Sequence, residues 1–215
     1  AAGHAGRERC LSTIAALLKD ARQRLADSDS AALDAELLLC HVLGKPRSHL
    51  FTWPELEIDD SAAARFDQLV SQREAGRPVA YLLGRREFYG HEFLLSEDTL
   101  IPRPDTELLV DLLLEKMPAD AALRVADLGT GTGAIALALA HNKPQWQLTA
   151  VDYIAEAAAL AERNRQRLNV SNCTVLQSNW FSALSDAKFD LIVSNPPYID
   201  PQDAHLASLQ YEPIT

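Results

Sequence analysis

The chain has 215 residues, of which 47% are hydrophobic, and it carries 20 Lys and Arg against 30 Asp and Glu, a net charge of −10. This length and composition are typical of one large globular domain or two small ones. No apolar run approaches the ~20 residues of a membrane span, and Cys10, Cys40 and Cys173 form no Cys-x-x-Cys pair, so we expect a cytoplasmic protein with neither a disulfide framework nor a zinc site.

The acidic charge is concentrated in one half of the chain. Residues 1–90 carry 12 Lys and Arg against 13 Asp and Glu (net −1), whereas residues 91–215 carry 8 against 17 (net −9). Because binding to a phosphate backbone depends on neutralisation by Lys and Arg, the second half is poorly suited to nucleic acid. We therefore expect no direct nucleic-acid partner.

Residues 10–86 have a helical pattern throughout. Apolar residues recur at three- and four-residue spacing from Leu11 to Leu25, and a second helix capped at Asp29 or Ser30 ends at Gly44 and Pro46. The predicted apolar face of this second helix consists of Leu33, Leu37, Leu38 and Val42. A short helix over residues 47–52 and a longer one starting at Asp60 or Ser61 complete a small bundle, predicted as an N-terminal domain over residues 1–85. His41 and His49 have no partners at ligand spacing, so no metal site is expected.

Residues 86–104 are predicted to link this bundle to a second domain. Two short strands, residues 86–89 and 92–95, flank Gly90 as a β-hairpin. The segment from Ile101 to Glu107 is held extended by its prolines and leads into a helix capped at Asp105. Arg103 and Glu107 are candidates for a salt bridge or a hinge.

From residue 105 onward, strands and helices alternate. Strands are predicted over 123–128, 147–152 and 173–177 and in the run that ends at Asn195, with helices over 108–116, 134–141 and 155–168. This alternation indicates an α/β domain with a parallel sheet and right-handed crossovers. The sequence thus predicts a second domain over residues 105–215.

A glycine-rich turn joins the first of these strands to its helix. Gly129, Gly131 and Gly133, alternating with Thr130 and Thr132, let the backbone approach a ligand at the helix N-terminus. Asp152, which ends the next strand, is suited to accept both hydroxyls of a ribose. The pattern predicts a nucleoside-containing cofactor, and Gly129-x-Gly131-x-x-Ala134 also fits the dinucleotide fingerprint.

The strand over residues 191–194 runs into Asn195-Pro196-Pro197-Tyr198. Neither proline can donate a ladder hydrogen bond, so the strand ends there and places Asn195 at the sheet edge where open α/β sheets bind ligands. The Asn195 Oδ1 atom and the Pro196 carbonyl can accept hydrogen bonds from a bound NH₂ group. We therefore predict a pocket for a planar amino or amide nitrogen.

Two features favour S-adenosylmethionine over a nicotinamide cofactor. The carboxylate of Asp127 is suited to bind the methionine ammonium or to order the glycine turn, whereas it would repel a pyrophosphate. The Asn-Pro-Pro-Tyr pocket has no role in hydride transfer but suits methyl transfer to an NH₂ group. A sulfonium methyl is already electrophilic, so alignment of the nucleophile is the main requirement, and no metal or covalent intermediate is needed.

These residues resemble those of a known family, the release factor glutamine methyltransferases or PrmC/HemK group. The resemblance covers nearly the whole chain from Leu11 on and rests on four segments: Ile101 to Glu107, Asp127 to Ala138, Gln177 to Phe181, and Ser194 to Ile199. It implies a Rossmann-like methyltransferase domain. The implied reaction is N5-methylation of the glutamine in the Gly-Gly-Gln motif of peptide chain release factors, with S-adenosylmethionine as donor.

The resemblance also implies roles for particular residues. Gly129 to Gly133 would hold the methionine part, Asp152 the ribose, and Asn179 and Trp180 the adenine, with Asn179 standing where the family often has Asp. Asn195 to Tyr198 would hold the target glutamine, and the N-terminal bundle would help to dock the release factor. We expect the chain to be a monomer.

The chain departs from the family pattern at its end. We count four strands where this fold usually has seven, so we expect a C-terminally incomplete domain in which the strand ending at Asn195 is a bare edge. Two alternative functions remain open. One is an adenine-N6 methyltransferase of DNA or RNA, since that class shares Asn-Pro-Pro-Tyr; the other is an inactive truncated module that binds the cofactor or a partner.

Overall fold

The computed structural model describes residues 12–118, 120–184, 187–196 and 211–213. The chain divides into two units between Leu83 and Gly84. Pro197 and Tyr198 of the predicted pocket lie outside the described residues.

The N-terminal unit is helical, as predicted. Its elements are β1 (Ser12–Thr13), α1 (Ile14–Arg24), α2 (Ala31–Leu43), α3 (Arg47–Thr52), β2 (Glu57–Ile58), α4 (Asp60–Glu74) and α5 (Val79–Leu83). The antiparallel bridge between β1 and β2 and the short helix α5 were not predicted.

Local capping explains where these helices begin and end. The Thr13 side chain accepts a hydrogen bond from the Ala16 amide at the start of α1, and Asp59 does the same for Ala62 at the start of α4. Helix α2 ends at Gly44 in the left-handed conformation, φ 62°. The predicted end of α2 at Gly44 and the predicted start of α4 at Asp60 or Ser61 are confirmed, whereas the cap at Thr13 was not predicted.

The predicted apolar face of α2 is partly wrong. Leu38 is fully buried, but Leu33 is 42% exposed, and the fully buried face also includes Ala35 and Leu39. These residues pack with the apolar faces of α1 and α4 in one core.

Two carboxylates of α2 are buried beside this core. Asp34 accepts a hydrogen bond from Arg73 Nε at 2.7 Å, and Glu36 pairs with Arg22 at 2.8 Å and with Arg47. The carboxylates are buried but their arginine partners reach solvent, with side-chain exposures of 21–51%, so removal of an arginine leaves a buried carboxylate with fewer partners. The pairs therefore fix how α1, α3 and α4 pack against α2.

The C-terminal unit opens with a hairpin and continues as an α/β sheet. Its elements are β3 (Arg85–Phe88), β4 (His91–Leu94), a 3₁₀ helix (Pro104–Thr106), α6 (Glu107–Lys116), β5 (Arg124–Leu128), α7 (Ala134–Asn142), β6 (Gln147–Asp152), α8 (Ala155–Arg167), β7 (Cys173–Gln177) and β8 (Leu191–Ser194). The predicted hairpin and the predicted alternation of strands and helices are confirmed. The cap predicted at Asp105 is wrong, because Asp105 lies within the 3₁₀ helix and Thr106 takes the cap position of α6.

The four strands β5 to β8 form one parallel sheet in the order β7-β6-β5-β8. Its two faces bury different clusters because successive side chains of a strand alternate. Val125 and Val193 face α7 and the hairpin phenylalanines Phe88 and Phe93. On the other face, one cluster contains Ala126, Leu128, Val151 and Leu184. Near-continuous apolar runs are expected for parallel strands that are covered on both faces.

Strand β8 has a neighbour on one side only within the described part of the chain, as predicted. It pairs with β5 through the register Leu128 to Ser194, so Asn195 follows directly after the last paired residue. Among the described helices, none has both the length and the apolar character needed to cross a bilayer.

Candidate functional site

The predicted site residues follow the carboxyl ends of four neighbouring strands. Asp127 and the glycine turn belong to β5, Asp152 ends β6, Asn179 follows β7 and Asn195 follows β8. Because the strands are parallel, these ends lie at the same edge of the sheet, where α/β proteins bind their ligands.

The glycine turn is tied to the neighbouring strand by its backbone. The amides of Gly129 and Thr130 both donate to the Val151 carbonyl at 2.9 Å. Gly129, Gly131 and Gly133 have φ values of 73°, 54° and 82°, a region that residues with a Cβ rarely adopt. The turn thus has one defined conformation that ends at the N-terminus of α7.

Asp127 lies under this turn and is 1% exposed. Its Oδ2 atom accepts hydrogen bonds from Thr130 Oγ1 at 2.7 Å and from the Ala136 amide at 3.3 Å. Its Oδ1 atom is buried and has no partner among the described residues. Burial raises the pKa of Asp127 to about 6, against the opposing effect of these two hydrogen bonds. The Oδ2 atom of this carboxylate therefore orders the turn, and its Oδ1 atom has the capacity to accept a hydrogen bond from a cationic group of a ligand.

Asp152 also shapes the turn. Its Oδ2 atom accepts from the Gly131 amide at 2.8 Å, and its Oδ1 atom accepts from the Ile154 amide at 3.0 Å. Each carboxylate oxygen has a second lone pair, so the group can still accept two hydroxyl hydrogens. The predicted contact with a ribose is compatible with this geometry and stays a prediction.

Aromatic side chains are exposed beside these acids. Trp180 is 54% exposed and Tyr153 is 67% exposed, and Trp180 has a positive φ of 51°. The Ser178 hydroxyl donates to the Trp180 carbonyl at 2.9 Å, and the Asn179 amide donates to Ser182 Oγ at 3.1 Å. The backbone around Trp180 is therefore held in place while its ring remains available for stacking on a flat ligand.

Asn195 is positioned by the preceding residue, Ser194, and by a contact with Thr106. The Ser194 hydroxyl donates to the Leu128 carbonyl at 2.7 Å, which fixes the end of β8 against the strand that leads into the glycine turn. The Asn195 Nδ2 atom lies 3.5 Å from Thr106 Oγ1. A carboxamide held through its nitrogen has its Oδ1 atom left to accept a hydrogen bond. Pro196 follows without regular secondary structure.

The proposed pairing of Arg103 with Glu107 is wrong. Arg103 forms an ion pair with Glu212, whose buried side chain also accepts from the Ile101 amide at 3.3 Å. Glu107 instead accepts a hydrogen bond from the Tyr89 amide at 2.7 Å. The proline-rich segment thus contacts Asn195 through Thr106 and Glu212 through Arg103.

Ser194, Thr106 and Glu212 were not predicted as site residues. Ser194 precedes the Asn-Pro-Pro-Tyr motif and Thr106 lies in the segment from Ile101 to Glu107. A single serine or threonine forms no spacing pattern that would indicate a role in the site. Glu212 is 109 residues from Arg103 along the chain, and nothing in the spacing links them.

The parallel sheet, the glycine turn and the unpartnered buried oxygen of Asp127 fit S-adenosylmethionine, whose ammonium group would supply that oxygen with the hydrogen-bond donor that it lacks. A nicotinamide dinucleotide would bring a pyrophosphate to the same carboxylate, which opposes its binding. These features define a Rossmann-like methyltransferase that uses S-adenosylmethionine.

Comparisons with known proteins identify the family within that class. Family models described as PrmC N-terminal domain and Methyltransferase small domain match residues 16–84 and 106–211. A release factor glutamine methyltransferase of Shewanella oneidensis is 51% identical over 89% of this chain and 67% of its own length. Proteins of the same name from Vibrio cholerae and Pseudomonas aeruginosa are 52% and 54% identical, over 94% of this chain and 72% and 73% of their own lengths. The chain belongs to the release factor glutamine methyltransferase family.

Proposed function

We propose that the chain transfers the S-methyl group of S-adenosylmethionine to the side-chain amide nitrogen of a glutamine in a peptide chain release factor, within its Gly-Gly-Gln motif. One observation carries the assignment of the site. Asn195 follows β8, which pairs with β5. The Asn195 side chain, which can accept a hydrogen bond from an amide, and the glycine turn with the buried Asp127 oxygen therefore lie at neighbouring strand ends.

In this proposal, the donor occupies the ends of the three strands β5, β6 and β7. Asp127 Oδ1 accepts from the methionine ammonium, and the turn from Gly129 to Gly133 surrounds the methionine part. Asp152 accepts from the ribose hydroxyls through its remaining lone pairs. Asn179 and Trp180 contact the adenine, the tryptophan by stacking.

The glutamine binds after β8. Its amide N–H groups donate to Asn195 Oδ1 and to the Pro196 carbonyl; the roles predicted for Pro197 and Tyr198 stay predictions, since these two residues lie outside the described residues. An amide nitrogen is a weak nucleophile because its lone pair is delocalised into the carbonyl, so two acceptors that favour electron density on nitrogen assist attack. The nitrogen bonds to the methyl carbon, the carbon–sulfur bond breaks, S-adenosylhomocysteine leaves, and the nitrogen loses a proton to solvent.

The alternative acceptor, an adenine in DNA or RNA, is disfavoured by the net charge of −9 on residues 91–215. An inactive binding module is disfavoured by the family to which the chain belongs. The docking of the release factor on residues 1–85, the monomeric state and the cytoplasmic location stay predictions.

The direct test is methyl transfer from radiolabelled S-adenosylmethionine to a purified release factor, with the Gly-Gly-Gln glutamine intact or replaced, beside a DNA control. We expect label on the intact factor alone. Label on DNA, or on the factor whose glutamine has been replaced, would show that the acceptor has been misassigned. No label anywhere with the donor still bound would favour the binding module.

A further inference from the structure

Asn164 is a polar residue on an otherwise apolar helix face. It lies on α8, three and seven residues from Ala161 and Ala157, and all three side chains are buried, with Asn164 at 0% exposure. A buried carboxamide is costly unless its hydrogen-bonding groups are satisfied, so the partners of Asn164 indicate why an asparagine is there.

Three hydrogen bonds satisfy this side chain. Its Nδ2 atom donates to the Leu94 carbonyl at 3.1 Å and to the Thr132 carbonyl at 2.9 Å, and its Oδ1 atom accepts from the Leu94 amide at 2.8 Å. The carboxamide therefore pairs with Leu94 as a neighbouring strand would, and uses its second hydrogen for the glycine turn. One side chain joins β4 of the hairpin to the turn after β5.

The contact with Thr132 fixes a peptide group within the turn. At one end of this peptide, the Thr132 carbonyl accepts from Asn164; at the other end, the Gly133 amide donates to the Thr130 carbonyl at 2.9 Å. A peptide group is planar, so two bonded ends set its orientation. A Cβ on Gly133 would lie 3.3 Å from the Cβ of Ala161, so α8 also limits the turn sterically.

We propose that Asn164 is a positioning residue for the methyl donor, which it serves by holding the Thr132–Gly133 peptide in its binding orientation and by coupling the glycine turn to β4. This inference rests on the proposed function for the identity of the ligand. Asn164 touches neither the donor nor the acceptor; its effect passes through Thr132.

The chain offers a matched control for this role. Asn172 is also an asparagine whose Nδ2 atom lies 3.1 Å from three backbone carbonyls, those of Ala140, Lys143 and Trp146. It precedes β7, so it lies at the amino edge of the sheet, opposite the glycine turn. Replacement of either asparagine by alanine removes a comparable set of backbone contacts, but only one set includes the turn.

The test compares the Asn164→Ala and Asn172→Ala variants with the unaltered protein by calorimetric titration of S-adenosylmethionine and by steady-state methyl transfer. We expect both variants to unfold at lower temperature. Asn164→Ala should weaken donor binding and raise the donor KM more than tenfold while kcat at saturating donor stays within about threefold, whereas Asn172→Ala should change donor binding less than twofold. Equal donor affinities in the two variants would overturn the positioning role.

A second measurement needs no variant. Hydrogen exchange of the Leu94 amide, which donates to Asn164, should slow severalfold when S-adenosylmethionine binds, because ordering of the turn restrains the shared carboxamide. An unchanged rate would contradict the coupling. If the unaltered protein fails to bind S-adenosylmethionine at all, the proposed function itself falls, which distinguishes that failure from a failure of the role of Asn164.

Discussion

The Asp127→Asn substitution tests two effects of the buried carboxylate: its effect on the free energy of unfolding and its contact with the ammonium group of S-adenosylmethionine. The pKa of Asp127 is raised from an ordinary value of 3.8 to about 6, chiefly by burial. The folded state therefore holds this proton more tightly than the unfolded state, and the free energy of unfolding falls as the pH rises through this range. For these two values the loss between pH 5 and pH 8 is on the order of 1 kcal/mol.

An ammonium group bound at Oδ1 reverses the preference, since a nearby positive charge favours the ionised carboxylate. Donor binding should then release about half a proton at pH 6, and the affinity for S-adenosylmethionine should fall about tenfold from pH 7 to pH 5. The Asp127→Asn variant has no titrating group at this position, so we expect weaker donor binding that is nearly independent of pH.

Two assays check these values. Urea unfolding at pH 5 and pH 8 gives the free energy of unfolding, and the difference in that free energy between wild type and Asp127→Asn should change by on the order of 1 kcal/mol between the two pH values. Calorimetric titration in two buffers of different ionisation enthalpy gives the proton release. A pH-independent stability difference would refute the raised pKa, and proton-free donor binding at pH 6 would refute the contact with the ammonium.

Three further predictions concern single residues. Asn195→Ala should lower methyl transfer at least ~100-fold while the donor Kd stays within ~3-fold, and unchanged turnover would contradict its role. Gly133→Ala should lower the free energy of unfolding by about 1–3 kcal/mol more than Gly44→Ala does. Both glycines have positive φ, but only at Gly133 would the new Cβ lie 3.0 Å from Leu137 Cδ1. Equal losses for the two variants in urea unfolding would contradict the steric argument. Burial raises the pKa of Cys173 to about 12, so only ~1 in 10,000 molecules carries the thiolate at pH 8. Iodoacetamide should therefore leave Cys173 unmodified in the native protein and alkylate it in urea, as measured by mass spectrometry of the peptide that contains it. Rapid labelling of the native protein would contradict this by showing that the thiol is accessible.

The sheet was predictable from sequence because its signals are local. Apolar runs such as Leu191 to Val193 end at residues that cannot continue a strand, and glycines mark the turn after Leu128. Strands 147–152 and 173–177 were predicted with their observed ends. The parallel order followed from the alternation of strands and helices, which leaves few alternative topologies.

The features that were missed depend on partners far along the chain. The buried carboxylates Asp34 and Glu36 look like surface residues until Arg73 and Arg47 are brought against them by folding. Helix α5 has only five residues and lies between Pro78 and Gly84, which indicate a linker. In the sequence, Asn164 looks like its polar neighbours on α8, and only its contacts with Leu94 and Thr132, 70 and 32 residues earlier, distinguish it from them.

The order of strands in the sheet separates the two halves of the site. The residues assigned to the methyl donor belong to or follow β5, β6 and β7, whereas the residues assigned to the methyl acceptor follow β8, on the other side of β5 from β6 and β7. A change of sequence after β8 can alter the acceptor pocket while the pairing among the other three strands, and the turn they support, stays as it is. We therefore expect substitutions after Ser194 to change the choice of methyl acceptor with less effect on binding of the methyl donor than substitutions in the glycine turn, which makes that segment the place to introduce a new acceptor by mutation.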